Sequence, residues 1–140
     1  VTAGGKNIAP QPIQNAAKTS RYVSEAVLIG DRRPYPILLV VPDFEQLEAW
    51  AKAEGIAADD RAVLVADARV RSMLEDEMER RLASFARYEL PKKVLPLPRE
   101  FSIDKAEITP SLKVRRRVVE EHFAESIEAL YAEPPPPEAA

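Results

Sequence analysis

The sequence predicts an α+β fold in which a small, mainly antiparallel three-stranded sheet is packed with helices. Three observations lead there. Two short β-branched runs, Ala26-Val27-Leu28-Ile29 and Ile37-Leu38-Leu39-Val40-Val41, are separated only by Gly30 to Pro36, a link too brief for a parallel crossover and suited to an antiparallel pair. A third short run, Val94-Leu95-Pro96-Leu97, comes much later, and its proline, which has no amide proton, confines it to an edge or to its own end. Most of the other apolar residues recur at intervals of three or four, the spacing of helices that cover a sheet.

Each element has its own signals. Ile13, Ala16 and Ala17 follow a proline suited to a first helical turn, so Pro12 to Lys18 reads as a short amphipathic helix. The two strands are bounded by Gly30-Asp31 and by Pro34 or Pro42. Asp43 stands three residues before Gln46 and opens a helix carrying Phe44, Leu47, Trp50 and Ala51, with Gly55 as its stop. After a polar break at Asp59-Asp60, the series Val70, Met73, Leu74, Met78, Leu82 and Phe85 marks the longest helix, ended by Pro91. Val119, Phe123, Ile127 and Leu130 give one final helix. Residues 1–131 are expected to form the domain, and residues 132–140, with Pro134 to Pro137, a disordered tail of extended polyproline that joins no core.

Composition bounds the function classes. A chain of 140 residues with 46% hydrophobic residues and a net charge of -3 is large enough for one domain with a core. Without cysteine there is no disulfide, no thiolate nucleophile and no thiolate metal site, which is compatible with a reducing, cytoplasmic setting. No apolar run approaches the roughly 20 residues that a bilayer crossing needs, and no signal-peptide layout opens the chain. The acid pairs Asp59-Asp60, Glu75 to Glu79 and Glu120-Glu121 lack a metal-loop glycine or a histidine partner, so no metal site is expected. The start of the chain, Gly4-Gly5-Lys6-Asn7, is turn chemistry with no element to turn from, as expected of the middle of a longer protein.

Two segments can carry chemistry. In Thr2-Ala3-Gly4-Gly5-Lys6-Asn7 the paired glycines let a ligand approach the backbone closely, while Lys6 and Asn7 supply donors; a merely flexible chain start has the same composition. The segment Glu107-Ile108-Thr109-Pro110-Ser111-Leu112-Lys113-Val114-Arg115-Arg116-Arg117 is a proline-containing loop that runs into the final helix. Its basic residues sit at the helix N-terminus with Glu120 and Glu121 downstream, the weaker order for helical electrostatics. Such a cluster can present a cation to an external anion, or be a solvated basic face. Overall acidity and the lack of neighbouring aromatics argue against nucleic acid. His122 lies beside the apolar stripe of the last helix and is read as structural.

The same two segments resemble the long-chain fatty acyl-CoA synthetases, members of the adenylate-forming enzymes. Val1-Thr2-Ala3-Gly4-Gly5-Lys6-Asn7-Ile8-Ala9-Pro10-Gln11-Pro12-Ile13 is similar to the stretch just after their interdomain hinge, and Ile108-Thr109-Pro110-Ser111-Leu112-Lys113-Val114-Arg115-Arg116 to their C-terminal motif, which contains the adenylation lysine. Val27 to Tyr35 and Leu39 to Asp43 share the likeness. Gln14 stands where the wider superfamily usually has glutamate, and Leu112 where many relatives have glycine.

The resemblance implies the family's mobile C-terminal domain, with its α+β fold. Lys113 would be the catalytic residue of adenylation, and Gly4, Gly5, Lys6 and Asn7 would line the CoA passage. Its partners would be the large N-terminal domain and, at the domain interface, ATP or acyl-adenylate and CoA. No cofactor is expected on this piece alone, ATP, CoA and Mg2+ being those of the full enzyme. It would be inactive by itself and cytoplasmic, with peripheral contact to a membrane left open. The competing reading from the residues is a stand-alone anion-binding module, using Lys6 and Arg115 to Arg117, which a salt-sensitive binding curve would reveal.

Overall fold

In the computed structural model, which describes residues 7–134, the chain divides into two compact units, Val1–Glu100 and Phe101–Ala140. The first holds α1 (Pro10–Ala17), β1 (Val23–Ile29), β2 (Ile37–Pro42), α2 (Phe44–Ala53), α3 (Arg61–Ala66), α4 (Ala68–Arg81), a 3-10 turn at Arg87–Glu89, and β3 (Lys93–Pro96). The sheet order is β1-β2-β3. β1 and β2 run antiparallel with Leu28 opposite Leu38, and β3 adds to β2 in parallel with Val94 opposite Leu38. The expected α+β sheet, mostly antiparallel, is therefore present.

Alternation along the strands sorts the core. Ala26, Leu28, Leu38, Val40 and Val94 cluster with Ile13 and Ala17 of α1, and with Met78 and Leu82 at the end of α4. Val27, Ile29, Ile37, Leu39 and Val41 alternate with them and are buried too, so β2 is covered on both faces and reads as an unbroken apolar run. A second cluster joins Leu47 and Ala51 of α2 to Ile56, to Leu64 of α3, and to Val70 and Leu74 of α4. Removing each of the Val, Leu, Ile or Met side chains from water contributes about 1.5–3 kcal/mol.

The edges and ends are satisfied by specific groups. β3 is an edge strand, and Pro96 is its last residue, after which the Leu97 N–H donates to the Val40 carbonyl at 2.8 Å. On the opposite edge, the Leu28 N–H donates to Oε1 of Gln14 at 2.9 Å. A glutamate would offer the same oxygen, which accounts for the tolerance of Gln14. Asp43 caps α2 through a bond from the Gln46 N–H to Oδ1 at 3.2 Å, while its own N–H goes to the Tyr22 carbonyl at 2.9 Å. Gly55 follows the end of α2 with φ 73, the left-handed conformation that suits glycine there.

Several boundaries differ from the sequence-based expectation. α1 starts at Pro10 rather than Pro12. The polar break before the long helix contains α3, because Asp60 accepts from the Val63 N–H and Asp67 from the Arg69 N–H, both at 2.8 Å, so that two capped helices follow each other. α4 ends at Arg81, well before Pro91; Leu82 has left helical geometry while keeping its side chain in the core.

The second unit holds a short β-bridge between Ile108 and Val114, then α5 (Arg116–His122) and α6 (Ala124–Ala132). The one final helix expected is thus two, separated at Phe123 with φ -111 and ψ 20. Periodicity could not show the break, since Phe123 still donates to the Val119 carbonyl and accepts from the Ile127 N–H, both at 3.0 Å. The phenyl ring of Phe123 packs against that of Phe101, with centroids 6.3 Å apart.

Candidate functional site

Lys113 sits on a small β-hairpin. Thr109 to Leu112 form a turn closed by the Leu112 N–H on the Thr109 carbonyl at 2.7 Å, with Pro110 at the second position, where its fixed φ is favourable. Leu112 then takes φ 66, the left-handed residue that ends a three-residue hairpin loop. Glycine does this without steric cost; leucine does not. Below the turn the Thr109 N–H donates to the Lys113 carbonyl and the Arg115 N–H to the Glu107 carbonyl, each at 2.8 Å. The Lys113 N–H is held by Oγ1 of Thr109 at 2.9 Å, and that hydroxyl lies 3.0 Å from Oγ of Ser111.

The backbone of Lys113 is therefore fixed from both sides. Its side chain is exposed and makes no ion pair or hydrogen bond among the described residues. Leu112 beside it is 67% exposed. Arg115, Arg116 and Arg117 are exposed as well, in the cap or first turn of α5, a turn that contains no acidic residue. The arrangement offers an ammonium on a flexible four-carbon stem rising from a rigid base, suited to meeting an anion from outside.

The base of the hairpin contains a group that the sequence reading passed over. Glu107 is completely buried. Its Oε1 accepts from the Ser102 N–H at 2.9 Å, and its Oε2 lies 2.6 Å from Nδ1 of His122. His122, read as structural, is tied to that carboxylate at the end of α5. An acid in an irregular segment, far from its histidine along the chain, leaves no periodic trace.

Of the other expected site residues, Gly4, Gly5 and Lys6 lie outside the described residues. Asn7 is exposed, just ahead of Ile8, which packs on the first core cluster. An open groove of about 1110 Å³, lined by residues that include Lys52, Gly55, Asp59, Arg61 and Arg99, holds none of them. Among the described residues no group of three or more His, Cys, Asp or Glu side chains could hold a metal ion, and no helix is long and apolar enough to cross a membrane.

The family model for the AMP-binding enzyme C-terminal domain matches residues 1–134. A long-chain-fatty-acid–CoA ligase of Mycobacterium tuberculosis is 34% identical over 135 residues, covering 94% of this chain and 22% of that protein. The peroxisomal long chain acyl-CoA synthetase 7 of Arabidopsis thaliana is 34% identical over 134 residues, covering 94% and 19%. The chain thus spans about a fifth of the length of these relatives. In fold it is similar to the adenylation domain of a carboxylate reductase from Mycobacterium chelonae, with a TM-score of 0.75 at 24% identity over 94% of this chain and 19% of that one.

Proposed function

The chain belongs to the AMP-binding enzyme C-terminal domain family, and we propose that residues 1–131 serve as the mobile C-terminal domain of a long-chain fatty acid–CoA ligase. On this reading a fatty carboxylate attacks the α-phosphorus of ATP, expelling pyrophosphate, and the CoA thiol then attacks the acyl carbon of the adenylate, expelling AMP. The large N-terminal domain binds nucleotide and acyl chain, and Mg2+ goes with the nucleotide there. The full ligase works in the cytoplasm, and this domain alone turns nothing over.

Lys113 is the residue we assign to the first step. Negative charge grows on the phosphoryl oxygens as the carboxylate approaches, and an ammonium already placed there stabilises it more in the transition state than in the ground state. An arginine is a poor replacement, because its planar fork is larger and rigid. For the second step the domain turns, withdrawing Lys113 and presenting Gly4, Gly5, Lys6 and Asn7 to the pantetheine arm, with the side-chain-free glycines leaving room for a narrow ligand.

The observation that carries this reading is the exposed Lys113 side chain, without an internal partner among the described residues, on a hydrogen-bonded hairpin. The test is the pair of half-reactions in the full-length ligase. Lys113→Ala is expected to slow adenylate formation by roughly 10²–10³-fold, the size seen when one such charge-stabilising donor is lost. Thioester formation from supplied acyl-adenylate should persist. Equal slowing of both steps, or of neither, refutes the assignment.

A further inference from the structure

Glu107 is a joint where four connections meet. Its N–H donates to the Ser102 carbonyl at 3.0 Å and its carbonyl accepts from Arg115 at 2.8 Å. One carboxylate oxygen takes the Ser102 N–H at 2.9 Å, and the other meets Nδ1 of His122 at 2.6 Å. The backbone bonds close the hairpin and the loop before it; they do not decide how the hairpin stands on α5. The side-chain contact spans from the hairpin's first residue to the far end of that helix, six residues and about 9 Å beyond its start.

We propose that Glu107 and His122 form a positioning pair that sets the angle of the Lys113 hairpin on α5 and so the place to which the ammonium is delivered. The inference rests on the adenylation role given to Lys113 above. A carboxylate with no exposed surface is costly to bury unless it is fully bonded. His122, whose side chain is 36% exposed, supplies one of those bonds from the rim. Lys113 stands two residue pairs above Glu107 in the hairpin, about 7 Å along the strand. A small tilt at the base becomes a displacement near 1 Å at the lysine, and a misplacement of that size costs up to about 10²-fold in rate.

The experiment uses the full-length ligase with His122→Ala, His122→Asn and Lys113→Ala. Asparagine places its amide nitrogen near the position of Nδ1 and can still donate to Glu107. His122→Ala is expected to slow adenylate formation by about 10–100-fold, to leave thioester formation from supplied acyl-adenylate within about twofold, and to be largely rescued by His122→Asn. A role in folding alone would lower both half-reactions together, and that result overturns the proposal. So does an alanine variant that leaves adenylation intact, or an asparagine variant no better than alanine. If Lys113→Ala is selective while His122→Ala is not, the positioning pair fails and the lysine assignment stands; if Lys113→Ala is itself unselective, both fall.

Discussion

The contact between Ser20 and Glu77 is a sensitive place to perturb the first unit. Glu77 lies on α4 and is 6% exposed; Ser20, in the link between α1 and β1, is 3% exposed. Oγ of Ser20 donates to Oε1 of Glu77 at 2.6 Å, and Arg80 bonds the other oxygen. Burial alone would raise the Glu77 pKa, yet the bonds from Ser20 and Arg80 and the charges of Arg80 and Arg81 hold it below its ordinary value. Arg80 is 65% exposed, so water screens its share. In Ser20→Ala, Oε1 keeps only Arg81 among the described residues, at 3.9 Å, too far for a hydrogen bond, and the Tyr22 N–H loses its 3.2 Å acceptor.

A hydrogen bond to a charged group contributes about 1.5–3 kcal/mol. With a Tm change of roughly 3–5 °C per kcal/mol at this size, Ser20→Ala should melt about 5–15 °C lower at neutral pH. The sign of the pH dependence follows from the lowered pKa. A carboxylate whose folded pKa is depressed contributes stability above its unfolded pKa, and that contribution is lost as pH falls through the folded value. The gap between parent and variant should therefore be full at pH 7 and narrow on acidification, in thermal melts followed by circular dichroism. A gap below about 1 °C at neutral pH, or one that widens in acid, would refute the reasoning.

Three further outcomes follow from single observations. Leu112→Gly should raise stability by about 0.5 kcal/mol, because the left-handed strain at φ 66 outweighs the extra freedom of glycine in the unfolded chain; a lower Tm than the parent's would contradict this. Gln14→Leu should lose about 1–3 kcal/mol by leaving the Leu28 N–H without its acceptor, with faster amide exchange at Leu28, whereas Gln14→Glu should exchange as the parent does. Lys113→Ala should change the stability of this chain by less than about 0.5 kcal/mol, since its exposed side chain bonds nothing among the described residues; a larger loss in denaturant titration would give the lysine a structural task.

What was legible in the sequence divides along physical lines. β1 and β2 could be read with their antiparallel pairing because a seven-residue link leaves no alternative. The direction of β3 could not, because a four-residue run has no feature that distinguishes parallel from antiparallel; its direction depends on the path of the chain through α2 to α4. Asp43 and Gly55 were visible as helix signals, yet Asp60, read only as part of a polar break, and Asp67, not singled out, did the same capping work. Lys113 was singled out through a motif, and its neighbourhood gave no reason to expect a hairpin. Glu107 was missed because acids are almost never fully buried, and what makes its burial tolerable lies in Ser102 and His122, which no local pattern connects to it.

The strain at Leu112 and the burial of Glu107 belong to the same mechanical requirement. A lysine side chain carries about 2 kcal/mol of rotamer entropy that is lost when its ammonium is held by a ligand. Were the backbone beneath it mobile as well, each engagement would also have to order the loop, at roughly 1–2 kcal/mol per residue. The hairpin settles that ordering when the chain folds: Thr109 fixes Lys113 through both backbone groups, and Glu107 ties the base to α5 and to the Ser102 loop. A left-handed leucine costing about 1–2 kcal/mol is tolerable in such a place, because the hydrogen bonds on either side determine the turn whatever residue stands there. Only the four-carbon stem is left to adjust, which suits a group that on our reading must engage one ligand in one domain pose and leave it in the next.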